Sequence, residues 1–197
     1  ANGKGASYMA GHSLGEYTAL TAAGSLRLAD AVQLVRARGQ FMQEAVPKGT
    51  GAMAAVIGLD DDKIEAVCTQ VATDTGLVIE AVNYNAPGQL VIAGHADAVE
   101  ASLPVLKEAG AKRALPLLVS APFHCSLMEP AAENMEIALK NIKLVEPDFP
   151  IICNVSSIPE TSTQTIKKNL ILQITHRVRW RETMGSLSRL GISQIVE

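Results

Sequence analysis

The sequence predicts an α/β protein, with a core built on a mainly parallel sheet and a compact β-α-β-β-α-β unit inserted into it. Three observations lead there. Strand-like apolar runs alternate with helix-patterned segments on either side of residues 49–118, an arrangement that yields a parallel sheet flanked by helices. Within 49–118 the rhythm changes to strand, helix, two strands joined by a tight turn, helix and strand, which is the ferredoxin-like order. Finally, 197 residues, 48% of them apolar, suffice for a main domain with a smaller one inserted. The expected division is 1–48 together with 119–197, and 49–118.

Residues 6–10 form a short run read as a buried strand leading into "GHSLGEY" (11–17). Residues 14–23 are good helix formers stopped by Gly24, and "LADAVQLVRARGQFMQEAV" (28–46) repeats apolar residues at helical spacing through Val32, Val35 and Phe41. In the inserted unit, "GAMAAVIGL" (51–59) reads as a strand and 60–72 as a helix. "LVIEAVNYN" (77–85) and "QLVIAG" (89–94) read as strands joined through "APG", followed by a helix at 96–109 and a strand in "KRALPLLVS" (112–120). Beyond it, 126–141 is expected to be helical and "PIICNV" (150–155) a strand entered from proline. Helices at 163–175 and 182–190 follow, with "ISQIV" (192–196) as a last buried strand.

Composition removes several classes of function. The net charge of −3 argues against a nucleic-acid binder, for which a strongly basic stripe is expected. No apolar run approaches the ~18 residues a membrane span needs, and the first ten residues lack the charged start and apolar middle of a signal peptide, so no membrane partner and a cytoplasmic setting are expected. Cys68, Cys125 and Cys153 are too scattered for a disulfide framework, and none lies in a C-x-x-C pair that would suggest zinc. Free thiols and no metal site follow.

The chemistry-bearing signal is Gly-x-Ser-x-Gly at 11–15. By composition roughly 0.07 such matches are expected by chance, and this one follows a strand-like run and precedes a helix, the context in which such a turn exposes a serine hydroxyl. The flanking glycines are expected because the turn leaves no room for a Cβ beside the serine. An ordinary tight turn is the competing reading. A serine hydroxyl needs a base, and four histidines are available. His12 adjoins Ser13 and is expected to point elsewhere and support the turn; His95 begins a helix of the inserted unit; His176 lies in a polar loop. His124, in "SAPFHCSLMEP", follows a predicted strand on a loop returning to the main sheet, where catalytic groups of α/β sheets gather. His124 is the preferred base, a structural histidine the alternative, and neighbouring Cys125 reads as a small buried residue.

The stretches "GHSLGEYTAL", "RARGQFMQEAVPKGTGAMAAVIGL", "NYNAPGQLVIAG", "AGAKRALPLLVSAPFHCSLMEPAA" and "RVRW" together closely resemble the malonyl-CoA:acyl carrier protein transacylases of type II fatty acid synthesis, over nearly the whole chain. The resemblance implies a hydrolase-like α/β core with an inserted ferredoxin-like subdomain. It makes Ser13 the nucleophile that takes malonyl from coenzyme A, His124 the general base and later the acid, and Gln173 the residue that orients the imidazole by accepting its hydrogen bond. Arg38, which taken alone reads as a surface helix arginine, would by the resemblance hold the malonyl carboxylate in a planar fork. The Leu14 N–H would form part of an oxyanion hole, Asn83 and Gln89 would line the path of the pantetheine arm, and Phe123 is typical of malonyl-selective members. No bound cofactor is implied; malonyl-CoA is the substrate, and acyl carrier protein and a coenzyme A thioester are the partners. Carrier proteins of this kind are acidic, so Arg177, Arg179, Lys112 and Arg113 are candidate docking residues. Acyltransferase domains of polyketide synthases share the pattern, and a serine esterase or thioesterase is the other enzyme reading. A catalytically dead scaffold or carrier-protein-binding module is the non-enzymatic reading.

The family also implies a Gly-Gln-Gly-type loop before the serine, supplying a second oxyanion donor, and a Val-Gly-Pro-Gly stretch after "QIVE". Neither is present, so the 197 residues are expected to be an internal part of a longer enzyme. With one oxyanion donor missing, turnover ~10²–10³-fold lower is expected than for a chain extended at both ends.

Overall fold

The computed structural model describes residues 6–119 and 121–196. It is a mixed α/β structure with two sheets. β1 (Met9–Ala10) leads through the serine turn into α1 (Gly15–Ala22) and α2 (Leu28–Glu44). The chain continues through β2 (Gly51–Ile57), α3 (Asp61–Thr75), β3 (Ile79–Ala86), β4 (Gln89–His95), α4 (Ala96–Glu108) and β5 (Arg113–Pro116). The chain then forms a 3₁₀ turn (Ser126–Met128), α5 (Glu129–Lys140), β6 (Ile151–Ile152), β7 (Pro159–Glu160), α6 (Thr163–Leu172) and α7 (Trp180–Arg189).

The smaller sheet has the order β1-β6-β7, with β1 and β6 parallel and β6 and β7 antiparallel. β7 departs from the expected parallel pattern. Ser157, at φ 58°, turns the chain back on itself, and its carbonyl is held by the Ser186 hydroxyl at 2.6 Å. The larger sheet is antiparallel, in the order β3-β4-β2-β5. Period-two alternation divides its faces. Val56, Leu90 and Ile92 pack with Ile64, Val67 and Leu106 of α3 and α4, whereas Met53, Val91 and Ala93 face the other way, onto Cys125, Phe123 and Leu127. That second face seats the loop carrying His124. Val82, between Ala81 and Asn83, takes the loop-facing side by alternation, and the register shift there accompanies the return of Tyr84 to the helix-facing side.

The edge strand β3 gains a parallel bridge to Val178. The Val178 N–H donates to the Val82 carbonyl at 2.7 Å, and the Tyr84 N–H donates to the Val178 carbonyl at 2.9 Å. Around this junction Arg177 pairs with Glu65 at 3.2 Å, Arg181 pairs with Asp61, and the Arg177 guanidinium lies 4.7 Å from the Tyr84 ring centroid.

Three expectations need correction. Residues 192–196 form no strand, and Ile195 and Val196 are exposed: an apolar run with no strand beside it has nothing to pair with. The strand in 112–120 ends at Pro116; the Leu117 N–H still donates to the Met53 carbonyl at 2.9 Å, and the chain then leaves the sheet, with Leu118 fully exposed; the last residue of that stretch, Ser120, lies outside the described residues. On α2 the buried stripe is Ala31, Leu34, Arg38 and Met42, while Val32 is exposed.

Gly11 is required at the serine turn: a Cβ there would sit 2.0 Å from the carbonyl carbon and oxygen of Gly15. Gly15 is not so constrained, since a Cβ would meet nothing within 4 Å, which corrects the expectation that both flanking glycines are sterically needed. Gly11→Ala should cost about 2–4 kcal/mol, whereas Gly15→Ala, at a helix start, should change stability by less than about 1 kcal/mol. Urea unfolding of the two variants checks this, and equal losses would contradict it.

Candidate active site

Ser13 stands between β1 and α1 at φ 52°, a left-handed conformation that a side chain adopts only when its surroundings enforce it. Asn154, fully buried just after β6, provides the enforcement. Its side-chain oxygen accepts from the Ser13 N–H at 2.6 Å and its amide donates to the Gly11 carbonyl at 2.7 Å, clamping the turn on both sides. Leu14 follows at the amino end of α1, where backbone N–H groups lack intrahelical partners; its N–H makes no hydrogen bond among the described residues.

The structure brings His124, Arg38 and Gln173 to Ser13. The Ser13 hydroxyl lies 2.8 Å from His124 Nε2, and His124 Nδ1 lies 2.7 Å from the backbone carbonyl of Gln173. That carbonyl can only accept, so Nδ1 carries the proton and Nε2 is left to accept from the serine. Gln173 immediately follows α6, and its carbonyl is one of the orphan acceptors at a helix carboxyl end. The imidazole is thus oriented by the main chain of Gln173, not by its side chain. The amide does separate work: its oxygen accepts from Arg38 Nη2 at 3.0 Å, and its nitrogen donates to Glu16 at 2.7 Å and to the Ser13 carbonyl at 3.1 Å.

Arg38 is 6% exposed. Its Nη2 donates to Ser13 Oγ at 2.9 Å, its Nε has no partner, and among the described residues it forms no ion pair. Burial lowers its pKa, an effect opposed in part by the neighbouring Tyr17 and Glu16. A buried guanidinium with an unmet donor is costly unless something completes it, and one of its nitrogens, Nη2, reaches the serine oxygen.

His124 is buried at φ 66°. Its pKa is pushed down from 6.5 to about 3, first by burial and then by the Arg38 charge, with the Gln173 carbonyl pulling the other way. The imidazole is therefore neutral and ready to accept a proton at physiological pH. Because the folded value lies below the unfolded one, the unfolded chain takes up the extra proton first. The stability this contributes is present above about pH 6.5 and is lost as pH falls toward about 3. His124→Gln should accordingly lose less stability than the wild type on going from about pH 7 to about pH 4; equal losses in denaturant titrations at the two pH values would contradict the depressed value.

The remaining sequence candidates are placed as follows. His12 turns away from Ser13, with Nε2 2.9 Å from Asn85 Oδ1 and its ring edge-on to Trp180 at 5.5 Å. His95 precedes α4 and its Nδ1 accepts from the Val78 N–H at 3.0 Å; His176 lies beside the Thr175 hydroxyl. Cys125 is buried, its thiol donating to the Pro122 carbonyl at 3.0 Å and pushed up to about 12 by burial. Asn83 is buried with an unpartnered side-chain oxygen, and Gln89 is exposed at the start of β4. A cleft of 710 Å³ that reaches His124 is lined by Glu65, Glu80, Thr175 and Arg177 but by neither Asn83 nor Gln89. Arg177 and Arg179 are engaged in ion pairs with Glu65 and Glu182; among the described residues Lys112 and Arg113 are in none. No group of three or more His, Cys, Asp or Glu among the described residues could hold a metal ion, and no described helix is long and apolar enough to cross a membrane.

Sequence reasoning missed Asn154 and Glu16. Asn154 carries no motif. Glu16 had a signal: a carboxylate inside the serine motif's helix, in a stretch whose neighbours Tyr17, Ala19 and Leu20 are all apolar.

Comparison with known proteins adds the following. The model of the acyl transferase domain family matches residues 1–192. The malonyl CoA-acyl carrier protein transacylase of Escherichia coli (strain K12) is 49% identical over 195 residues, 99% of this chain and 62% of that protein. The protein of the same name from Bacillus subtilis (strain 168) is 47% identical over 190 residues, 96% of this chain and 60% of that one. Among solved structures, a malonyl-transacylase in complex with a type II PKS acyl-carrier protein superposes with a TM-score of 0.96 at 48% identity, covering 100% of this chain and 63% of that chain. A malonyl CoA-acyl carrier protein transacylase from Coxiella burnetii gives 0.94 at 44%, covering 97% and 60%. The chain spans about three-fifths of the length of these relatives.

Proposed function

Because the chain belongs to the acyl transferase domain family, we propose that it carries the catalytic centre of a malonyl-CoA:acyl carrier protein transacylase. Ser13 and His124 are the catalytic residues. The Ser13 oxygen attacks the malonyl thioester carbonyl while its proton passes to His124 Nε2, and collapse of the tetrahedral intermediate expels coenzyme A as its thiolate, which takes that proton. A malonyl ester remains on Ser13. The pantetheine thiol of an acyl carrier protein then repeats the sequence in reverse, giving two half-reactions and ping-pong kinetics. The Leu14 N–H, at the positive end of α1, is placed to bind the developing oxyanion, and Gln173 holds the imidazole tautomer. The residue types imply no cofactor. The three buried cysteines, all free thiols, support a cytoplasmic setting.

The observation that carries the substrate class is Arg38: a buried cation with an unmet donor, hydrogen-bonded to the nucleophile's oxygen. A guanidinium in that position matches an acyl group ending in a carboxylate and has no use in a hydrolase of neutral esters. Asn83 and Gln89 as pantetheine contacts, and Lys112 and Arg113 as carrier-protein contacts, remain part of this proposal. Residues 49–118 are read as a ferredoxin-like subdomain on the strength of the β-α-β-β-α-β order and the sheet order β3-β4-β2-β5, inserted in a hydrolase-like core. Incubation with malonyl-CoA followed by intact mass and peptide mapping tests the reading: a gain of about 86 Da confined to the Ser13 peptide is the expected ester, and no adduct, or one elsewhere, refutes it.

A further inference from the structure

Glu16 is fully buried in the first turn of α1 and touches none of the atoms that react. Its Oε2 accepts from the Gln173 amide at 2.7 Å and from the Asn154 N–H at 3.1 Å, while its Oε1 has no partner. Gln173 is thereby fixed in one of the two orientations open to a primary amide. With its nitrogen drawn toward Glu16, its oxygen faces Arg38 Nη2 at 3.0 Å. Turned over, the amide would present N–H groups to the guanidinium, donor against donor, and Arg38 would lose the acceptor that fixes its plane. No other side-chain acceptor holds the Gln173 nitrogen among the described residues; the Ser13 carbonyl, at 3.1 Å, is the remaining contact.

From this chain of contacts we propose that Glu16 is a positioning residue for acyl-group selectivity: through the Gln173 amide it sets the orientation of the Arg38 fork that distinguishes a carboxylate-bearing acyl group from a neutral one. The proposal rests on the acyl-transfer reading of Ser13 and Arg38. Glu16 acts here as a hydrogen-bond acceptor, not as a charge. Burial raises its pKa, and a protonated or an amide side chain keeps an oxygen that can accept from both donors. His124 lies on a separate branch of the network, because the Gln173 carbonyl that holds it belongs to the main chain. Loss of Glu16 should therefore affect the preference between acyl groups more than the reactivity of the serine.

The test compares rates of Ser13 acylation by malonyl-CoA and by acetyl-CoA in the full chain, read by intact mass at short times, for the wild type, Glu16→Gln and Glu16→Met. Methionine is close in size and apolar, so it fits the buried site without stranding a charge, and urea unfolding of the same samples reports stability separately. Glu16→Gln should keep the malonyl-to-acetyl ratio within about twofold, while Glu16→Met should lower it about tenfold, the scale of one hydrogen bond to a charged group, with no matching loss of stability. A wild-type ratio in Glu16→Met would overturn the proposal, and so would a Glu16→Gln variant as unselective as Glu16→Met, since charge would then be the operative property. Failure of the underlying reading shows elsewhere: a wild-type chain that forms no malonyl ester, or shows no preference for malonyl, overturns that reading and this proposal together.

Discussion

Replacing His124 by alanine is expected to lower the rate at which Ser13 takes up malonyl by about 10⁴-fold or more, the scale on which removal of a catalytic base acts in serine acyl-transfer sites. The reason lies in the geometry. The hydroxyl has one acceptor of suitable basicity, the Nε2 lone pair at 2.8 Å, and that lone pair is free because Nδ1 is committed to the Gln173 carbonyl. Arg38 cannot substitute, being a donor to the same oxygen. Single-turnover labelling with malonyl-CoA measures the effect, and a loss below about tenfold would remove His124 from the catalytic role.

The second large effect is expected at Arg38. Arg38→Ala should slow malonyl loading by about 10²-fold, as befits loss of a desolvated, charge-assisted carboxylate contact, while changing acetyl loading by less than about threefold. Arg38→Lys should recover little, because an ammonium offers a point charge and not a planar fork. The comparison separates two jobs that the apo geometry leaves combined, since Nη2 now donates to Ser13 Oγ. If both acyl groups slowed equally, the arginine would be acting on the nucleophile and not on the substrate carboxylate.

The sequence carried the strand–serine–helix turn well, because it is local: Gly11, Ser13 and the helix formers after them lie within a few residues. Arg38 was reached by resemblance alone: the apolar spacing pointed through Val32 to a neighbouring face, and only the structure shows the arginine on the buried stripe with Leu34 and Met42. What could not be read was anything depending on chain segments far apart. The Asn154 clamp on Ser13 spans 141 positions, and nothing in "CNVSS" announces that its asparagine fixes a distant turn. Gln173 was found by resemblance, yet the group that meets the imidazole is its carbonyl, which every residue type possesses; only knowing where α6 ends reveals it. The strand expected in "ISQIV" failed for the converse reason, a local propensity with no partner to satisfy it.

The two hydrogen bonds between Val178 and β3 have a consequence for how the molecule breathes. They are the two backbone bonds that join the edge of the four-stranded sheet to the segment that follows Gln173, and separating the two breaks both at once. The amides of Tyr84 and Val178 should then exchange with solvent at one shared rate, set by a common excursion and not by two local ones. Because Val178 follows closely on the carbonyl that anchors His124, that same excursion is expected to loosen the proposed base. The exchange rate of a sheet edge thus becomes a clock for how often the site disassembles.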